Sequence, residues 1–106
     1  MKTAFEILFK ERQKRDVSSI LGDQQIRVFP IPFSSQFTIL FKASQTGKLN
    51  LDFMDATGRI LSRQSVAVVQ NDISLIDMKD LSRLPRGIYF IRYSEGTSTK
   101  VIRLVK

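Results

Sequence analysis

The 106-residue sequence predicts an all-β fold, an antiparallel β-sandwich of about seven short strands preceded by a short N-terminal extension. Three observations predict it. From Ile26 onward apolar residues recur at period two, which turns one face of a strand to a core and the other to water. Turn-forming clusters interrupt the alternation roughly every 8–12 residues, as in sandwiches. Finally, residues 26–106 leave no room for a long crossover helix, so the strands must pair antiparallel.

The first 25 residues follow a different pattern. In TAFEILFKERQKRDVSSILG, residues Ala4, Phe5, Leu8 and Arg12 share one helical face, Val17, Ile20 and Leu21 can continue it, and Gly22 suits the C′ position. Phe5, Ile7 and Phe9 alternate equally well as a short strand before the charged run Lys10–Asp16. Helix is the preferred of these two readings, and GDQQ (22–25) reads as a linker. The expected organisation is an extension over 1–25 and one sandwich domain over 26–106.

The strands follow in order. IRVFP closes on Pro30, with Pro32 just beyond, so it suits a sheet edge. In QFTILFK, Phe37, Ile39 and Phe41 alternate with Thr38 and Lys42. In KLNLDFM, Leu49, Leu51 and Phe53 alternate with Asn50 and Asp52. DATG (55–58) is a turn in which Gly58 is free to take positive φ. RILSRQSVAVV, a turn at QND (70–72) and ISLI come next. DMKDLSRLPRG (77–87) reads as an irregular or 3₁₀ connection stopped by Pro85 and Gly87. IYFIRY, a turn at Ser94–Gly96 and TKVIRLV complete the set.

Composition narrows the chemistry. With no cysteine and no histidine, disulfides, thiolate or imidazole metal sites, and Ser-His-Asp or Cys-His catalysis are excluded. The expectation is a non-enzyme without cofactor or metal. Residues 1–26 carry five basic and four acidic side chains and residues 27–106 carry twelve and six, so the net charge of +7 resides mainly in the sandwich. Such a field favours acidic partners, although scattered Lys and Arg also serve plain solubility. No segment reaches the roughly 20 apolar residues needed for a transmembrane helix. Nor does MKTAFEILFKERQKRD make a signal peptide, because Glu6 and Lys10 leave too short an apolar stretch.

RGIYFIRY (86–93) partly fits the RNA-binding RNP1 string, through Arg86, Gly87, Phe90, Ile91 and Tyr93. Ile88 and Tyr89 break that pattern, and the strands at 36–42, 48–54 and 59–69 follow one another without the helices such a domain needs. No nucleic-acid partner is therefore expected. The close acid pairs Asp52/Asp55 and Asp77/Asp80 can in principle hold calcium or do acid–base work. Asp55, Asp72 and Asp80, however, sit where turns begin and can bond their own backbone. Tyr89 has the layout of a tyrosine corner, its hydroxyl reaching back to the preceding turn.

Four stretches, VFPIPFSSQFTI (28–39), FMDATGRIL (53–61), LSRLPRGIYFIRY (81–93) and TKVIRLVK (99–106), occur together in this order. As a set they resemble the C-terminal sorting domain of the type IX secretion system, which recurs with a yPNP opening, a central D-x-x-G-R, a late L-x-x-G-x-Y and a terminal K-x-v-K-like strand. By position, Pro30 and Pro32 match the opening motif. Asp55, Gly58 and Arg59 match the central one, Gly87 and Tyr89 the third, and Lys100, Leu104, Val105 and Lys106 the last. Ile31 departs from the family's Asn between the prolines and cannot cap or bond within that turn.

The resemblance implies an Ig-like sandwich that acts as a secretion address. Its implied partners are outer-membrane type IX translocon components, a sortase-like peptidase that removes the domain, and a covalently preceding cargo. The implied route runs through the periplasm to the outer-membrane surface or beyond. A cargo and signal peptide would precede such a domain, so the chain is expected to be a fragment or a frame begun at an internal Met, with a processing site near 22–27. Two other readings stand beside this one: an Ig- or fibronectin-like adhesion module, and a basic nucleic-acid-binding domain. The terminal strand separates them, with Val101, Arg103 and Val105 expected on one face and Lys100, Ile102 and Leu104 on the other.

Overall fold

The computed structural model describes residues 25–106. The expected helix-or-strand extension lies outside them. Within them are seven strands: β1 (Ile26–Phe29), β2 (Phe37–Lys42), β3 (Gly47–Asp55), β4 (Ile60–Val68), β5 (Ile73–Met78), β6 (Ile88–Glu95) and β7 (Ser98–Val105). Every expected strand is present, and the described residues contain no helix.

The strands form two antiparallel sheets, β1-β2-β5 and β4-β3-β6-β7. In the constant-type Ig sandwich the fourth strand flanks the fifth; here β4 flanks β3 instead. As the proline-terminated sequence suggests, β1 is an edge strand, and β7 is one of the two edges of the larger sheet.

The period-two pattern accounts for the core. Phe37, Ile39 and Phe41 from the smaller sheet and Leu49, Leu51, Phe53, Ile91 and Leu104 from the larger are all essentially buried in one cluster. Edge-to-face ring contacts join the sheets: Phe37 to Phe53 at 5.5 Å and Phe41 to Tyr93 at 6.1 Å between centroids. Leu40 breaks the simple alternation. It lies on the opposite face of β2 yet is fully buried, in a separate cluster with Phe29 and Ile73.

Two boundaries differ from the sequence expectation. β5 runs on through Asp77 and Met78, because Thr38 pairs with Asp77 and Phe37 with Met78 across the β2–β5 ladder. Tertiary pairing there overrides the turn character of Asp77, whose carboxylate accepts from the Thr38 hydroxyl at 2.8 Å. The final turn is also tighter than expected. Ser94 and Glu95 belong to β6, Glu95 pairs with Ser98, and only Gly96 and Thr97 turn the chain, Gly96 at φ 60°.

Candidate functional site: the end of the sandwich where the terminal strand closes

The central motif builds the β3–β4 turn. Asp55 accepts from the Thr57 hydroxyl at 2.6 Å and from the backbone N–H groups of Thr57 and Arg59, each at 3.0 Å. Its second oxygen pairs with Arg59 Nε at 3.2 Å. Gly58, at φ 87°, allows its N–H to reach the Asp55 carbonyl at 3.0 Å. The Thr57 hydroxyl, helped by the two backbone donors and Arg59, outweighs desolvation and lowers the Asp55 pKa below its ordinary value. The turn is thereby a closed arrangement of the kind expected from DATGR.

The third motif builds the corner into β6. Tyr89 is buried, and its hydroxyl donates to the Pro85 carbonyl at 2.6 Å, the tyrosine corner anticipated from the sequence. Tyr89 also pairs with Asp55 across the β3–β6 ladder and with Leu104 across β6–β7. The central, third and terminal motifs are therefore neighbours on one sheet.

The opening motif reaches the same place from the other sheet. The Phe29–Pro30 and Ile31–Pro32 bonds are both cis, and Ile31 stands 49% exposed at the tip between the prolines. Directly after them Phe33 enters the core. Its ring lies edge-on to Phe37 at 5.1 Å, Tyr89 at 5.8 Å and Phe53 at 6.3 Å. Its N–H donates to the Val105 carbonyl at 3.0 Å, so the first loop of the sandwich caps the outer edge of the last strand.

The chain's final residue is held on several sides. Lys106 exchanges two backbone hydrogen bonds with Gly87, at 2.9 and 3.1 Å. Its ammonium donates to the carbonyls of Leu84 at 2.6 Å and Ser82 at 3.1 Å. A shallow cleft beside it is lined by Pro32, Phe33, Ser35, Ser82, Arg86 and Lys106.

Ten of the eleven residues singled out by motif thus gather at one end: Pro30, Pro32, Asp55, Gly58, Arg59, Gly87, Tyr89, Leu104, Val105 and Lys106. Lys100 stands apart, opposite Tyr93 in the other half of β7. Facing is as expected: Leu104 is buried and Ile102 half-buried, while Val101 and Arg103 are exposed. The Tyr89 and Tyr93 rings are buried, 5% and 6% exposed, which leaves neither available as a stacking platform for bases. Burial also pushes the Tyr93 phenol pKa up.

Sequence reasoning missed two organising residues. Phe33 carried a legible signal, being the first apolar residue after the Pro-x-Pro element, but its link to Val105 depends on the folded chain. Glu95 is the other. It occupies the inward position after Tyr89, Ile91 and Tyr93, and is 7% exposed. It accepts from the Ser44 N–H at 2.9 Å, the Ser44 hydroxyl and Gln25 Nε2 at 3.0 Å. Burial raises its pKa, but the Ser44, Gln25 and Gln45 donors outweigh burial and leave it lowered. Asp52, which sequence paired with Asp55, faces away and serves Arg92 at 2.6 Å and Arg63 at 3.4 Å. Among the described residues no three acidic side chains converge as a metal site would require.

Comparison with known proteins agrees with the motif set. The family model described as a secretion system C-terminal sorting domain matches residues 27–106. A search of curated proteins returned no match for the chain.

Proposed function

The chain belongs to the type IX secretion C-terminal sorting domain family, and on that premise we propose that residues 26–106 are an address read through their terminal strand. The family is a non-catalytic targeting domain, and the proteins that bear it go to the cell surface or beyond. On this reading a cargo precedes residue 25, the domain engages outer-membrane translocon components after reaching the periplasm, and a sortase-like peptidase cuts within 22–27. Pro30, Pro32, Asp55, Gly58, Arg59, Gly87 and Tyr89 set the shape that holds β7. The terminal stretch that bears Lys100, Leu104, Val105 and Lys106 carries the recognition, with Leu104 fixing it from within the core.

One observation supports this division of labour above the rest. The opening loop fastens onto Val105 at the end of β7 and Gly87 onto Lys106 just after it, through Phe33–Val105 and Gly87–Lys106 hydrogen bonds, while Tyr89 at the corner pairs with Leu104. A sandwich that served only as an adhesive module has no need to converge its motifs on that strand end. Glu95 adds a second support, since its bond to Gln25 anchors the chain where the proposed cargo junction begins.

The experiment is export of a reporter carrying a signal peptide and this domain at its C-terminus. Deleting residues 102–106 is expected to abolish export. Because this also takes Leu104 from the core, export is scored alongside Lys100→Ala, which alters only an exposed side chain and should also lower export, with the folding of both checked by circular dichroism. Undiminished export of the truncated fusion would sink the reading. Mass spectrometry of the exported parent should find the cut within 22–27, and an intact domain on the exported protein would remove the peptidase step.

A further inference from the structure

The outer edge of β7 borders a groove between the two sheets. The mutual hydrogen bonds of Gly87 and Lys106 fix which β7 residues pair with β6. In an antiparallel ladder bonded pairs alternate, so Lys106, Leu104, Ile102 and Lys100 turn their backbone groups to β6. Those of Val105, Arg103, Val101 and Thr99 point the other way. Among the described residues the single backbone partner on that side is the Phe33 N–H at Val105, which leaves the stretch Thr99–Arg103 open. Alongside lies a groove of ≈ 640 Å³ lined by Ile26, Val28, Ile31, Tyr93, Lys100 and Ile102.

The geometry points to an acidic, extended peptide segment as the occupant, added to β7 as a further strand with its alternate side chains in this groove. Directly opposed residues on neighbouring strands face the same side. A residue opposite Lys100 therefore meets an ammonium at the groove, and one opposite Ile102 meets the groove's apolar wall. On the outer face, a residue opposite Val101 meets a side chain 55% exposed, and one opposite Arg103 meets a guanidinium with no ion pair among the described residues. The edge thus selects carboxylate, apolar, apolar, carboxylate over four positions, a pattern that reads alike in either chain direction. Cross-strand opposite charges stabilise and like charges oppose.

Charge also argues against a second copy of this chain. Residues 98–106 carry Lys100, Arg103 and Lys106 and no acidic side chain, so edge-to-edge pairing of two β7 strands would gather six cations. Outward cations protect a sheet edge from self-association in this way and leave it open to an anionic strand. The inference rests on the sorting reading only for its biological setting; the edge and its chemistry stand on the fold.

The test uses the full 106-residue chain and two short synthetic peptides centred on Glu-Val-Val-Glu and Lys-Val-Val-Lys. Saturable binding of the first is expected, weakening as salt rises, with amide shifts in NMR spectra concentrated at Thr99, Val101 and Arg103. The lysine peptide should not bind. Val101→Pro removes an outward N–H that makes no bond to β6, so it should fold and bind roughly tenfold or more weakly. Should that variant fail to fold, Arg103→Glu serves: it must weaken the glutamate peptide and admit the lysine one.

Equal binding of both peptides, or undiminished binding by both variants, overturns the inference. So does a dimer that Val101→Pro dissolves, which would assign the edge to a second copy. Binding that appears only when Phe5, Ile7 and Phe9 are replaced by Ser would assign it to the chain's own N-terminal segment and overturn it too. Failure here is separable from failure of the sorting reading. A domain that binds the glutamate peptide but exports normally without residues 102–106 refutes sorting alone. One that loses export on that deletion and binds neither peptide refutes the edge alone.

Discussion

The Tyr89 hydroxyl donates to the Pro85 carbonyl at 2.6 Å, locking the connection between β5 and β6 to the strand that follows it. Tyr89→Phe deletes that bond and leaves the ring packed against Phe33 and Phe53. A buried hydrogen bond contributes about 0.5–1.5 kcal/mol net, and the orphaned carbonyl adds to the loss. Thermal unfolding of Tyr89→Phe should therefore begin lower by roughly 4–8 °C for each kcal/mol lost. An unchanged melting temperature would show that water serves the Pro85 carbonyl equally well.

Glu95 should make the domain acid-sensitive. Its folded-state pKa lies below the ordinary 4.5, so its contribution is complete above that value and fades as pH falls through the folded-state pKa. Glu95→Gln cannot accept all the donors that Ser44 and Gln25 offer, and should destabilise by about 1–3 kcal/mol near neutral pH. The gap in melting temperature between parent and variant should narrow below pH 4.5. Asp55, also lowered, acts in the same direction and leaves the Glu95→Gln variant a residual acid slope.

At the β6–β7 turn, Gly96→Ala should cost about 1–2 kcal/mol for placing an L-residue in the left-handed region. The new methyl would also run into the Gln45 amide, which must swing aside. Denaturant unfolding with an unaltered m-value and a lower midpoint is the expected signature.

Phe33→Ala removes a ring that touches Phe37, Phe53 and Tyr89, and should cost about 3–5 kcal/mol, a large share of a small domain's stability. The loss should appear locally as faster hydrogen exchange at the backbone amide of position 33, which in the parent is held by Val105. Protection equal to that of the parent would mean that the loop is fixed by other contacts.

Much of this fold was legible because its information is local. The alternation of Phe37, Ile39 and Phe41, or of Leu49, Leu51 and Phe53, fixes which face is buried without reference to any partner. Tyr89 was legible for a related reason, since its hydrogen-bond partner lies four residues away. What the sequence could not disclose depends on register between distant strands. The extra length of β5 comes from its pairing with β2, and the placing of β4 beside β3 is a choice among sheet edges. Glu95 was hidden because an inward carboxylate becomes acceptable only when Ser44 and Gln25 arrive from elsewhere. Among the motif residues, spacing could not say that the opening prolines and Val105 would meet.

On the sorting reading, that meeting gives the domain a built-in check on its own manufacture. Phe33 lies in the first loop of the sandwich and Val105 at the end of its last strand, yet a hydrogen bond joins them. If the terminal strand is what the export machinery reads, a chain released too soon, or one whose two sheets have not yet closed on each other, carries no legible label. Completeness and correct folding would then be inspected in the same act as destination, with no separate inspector required.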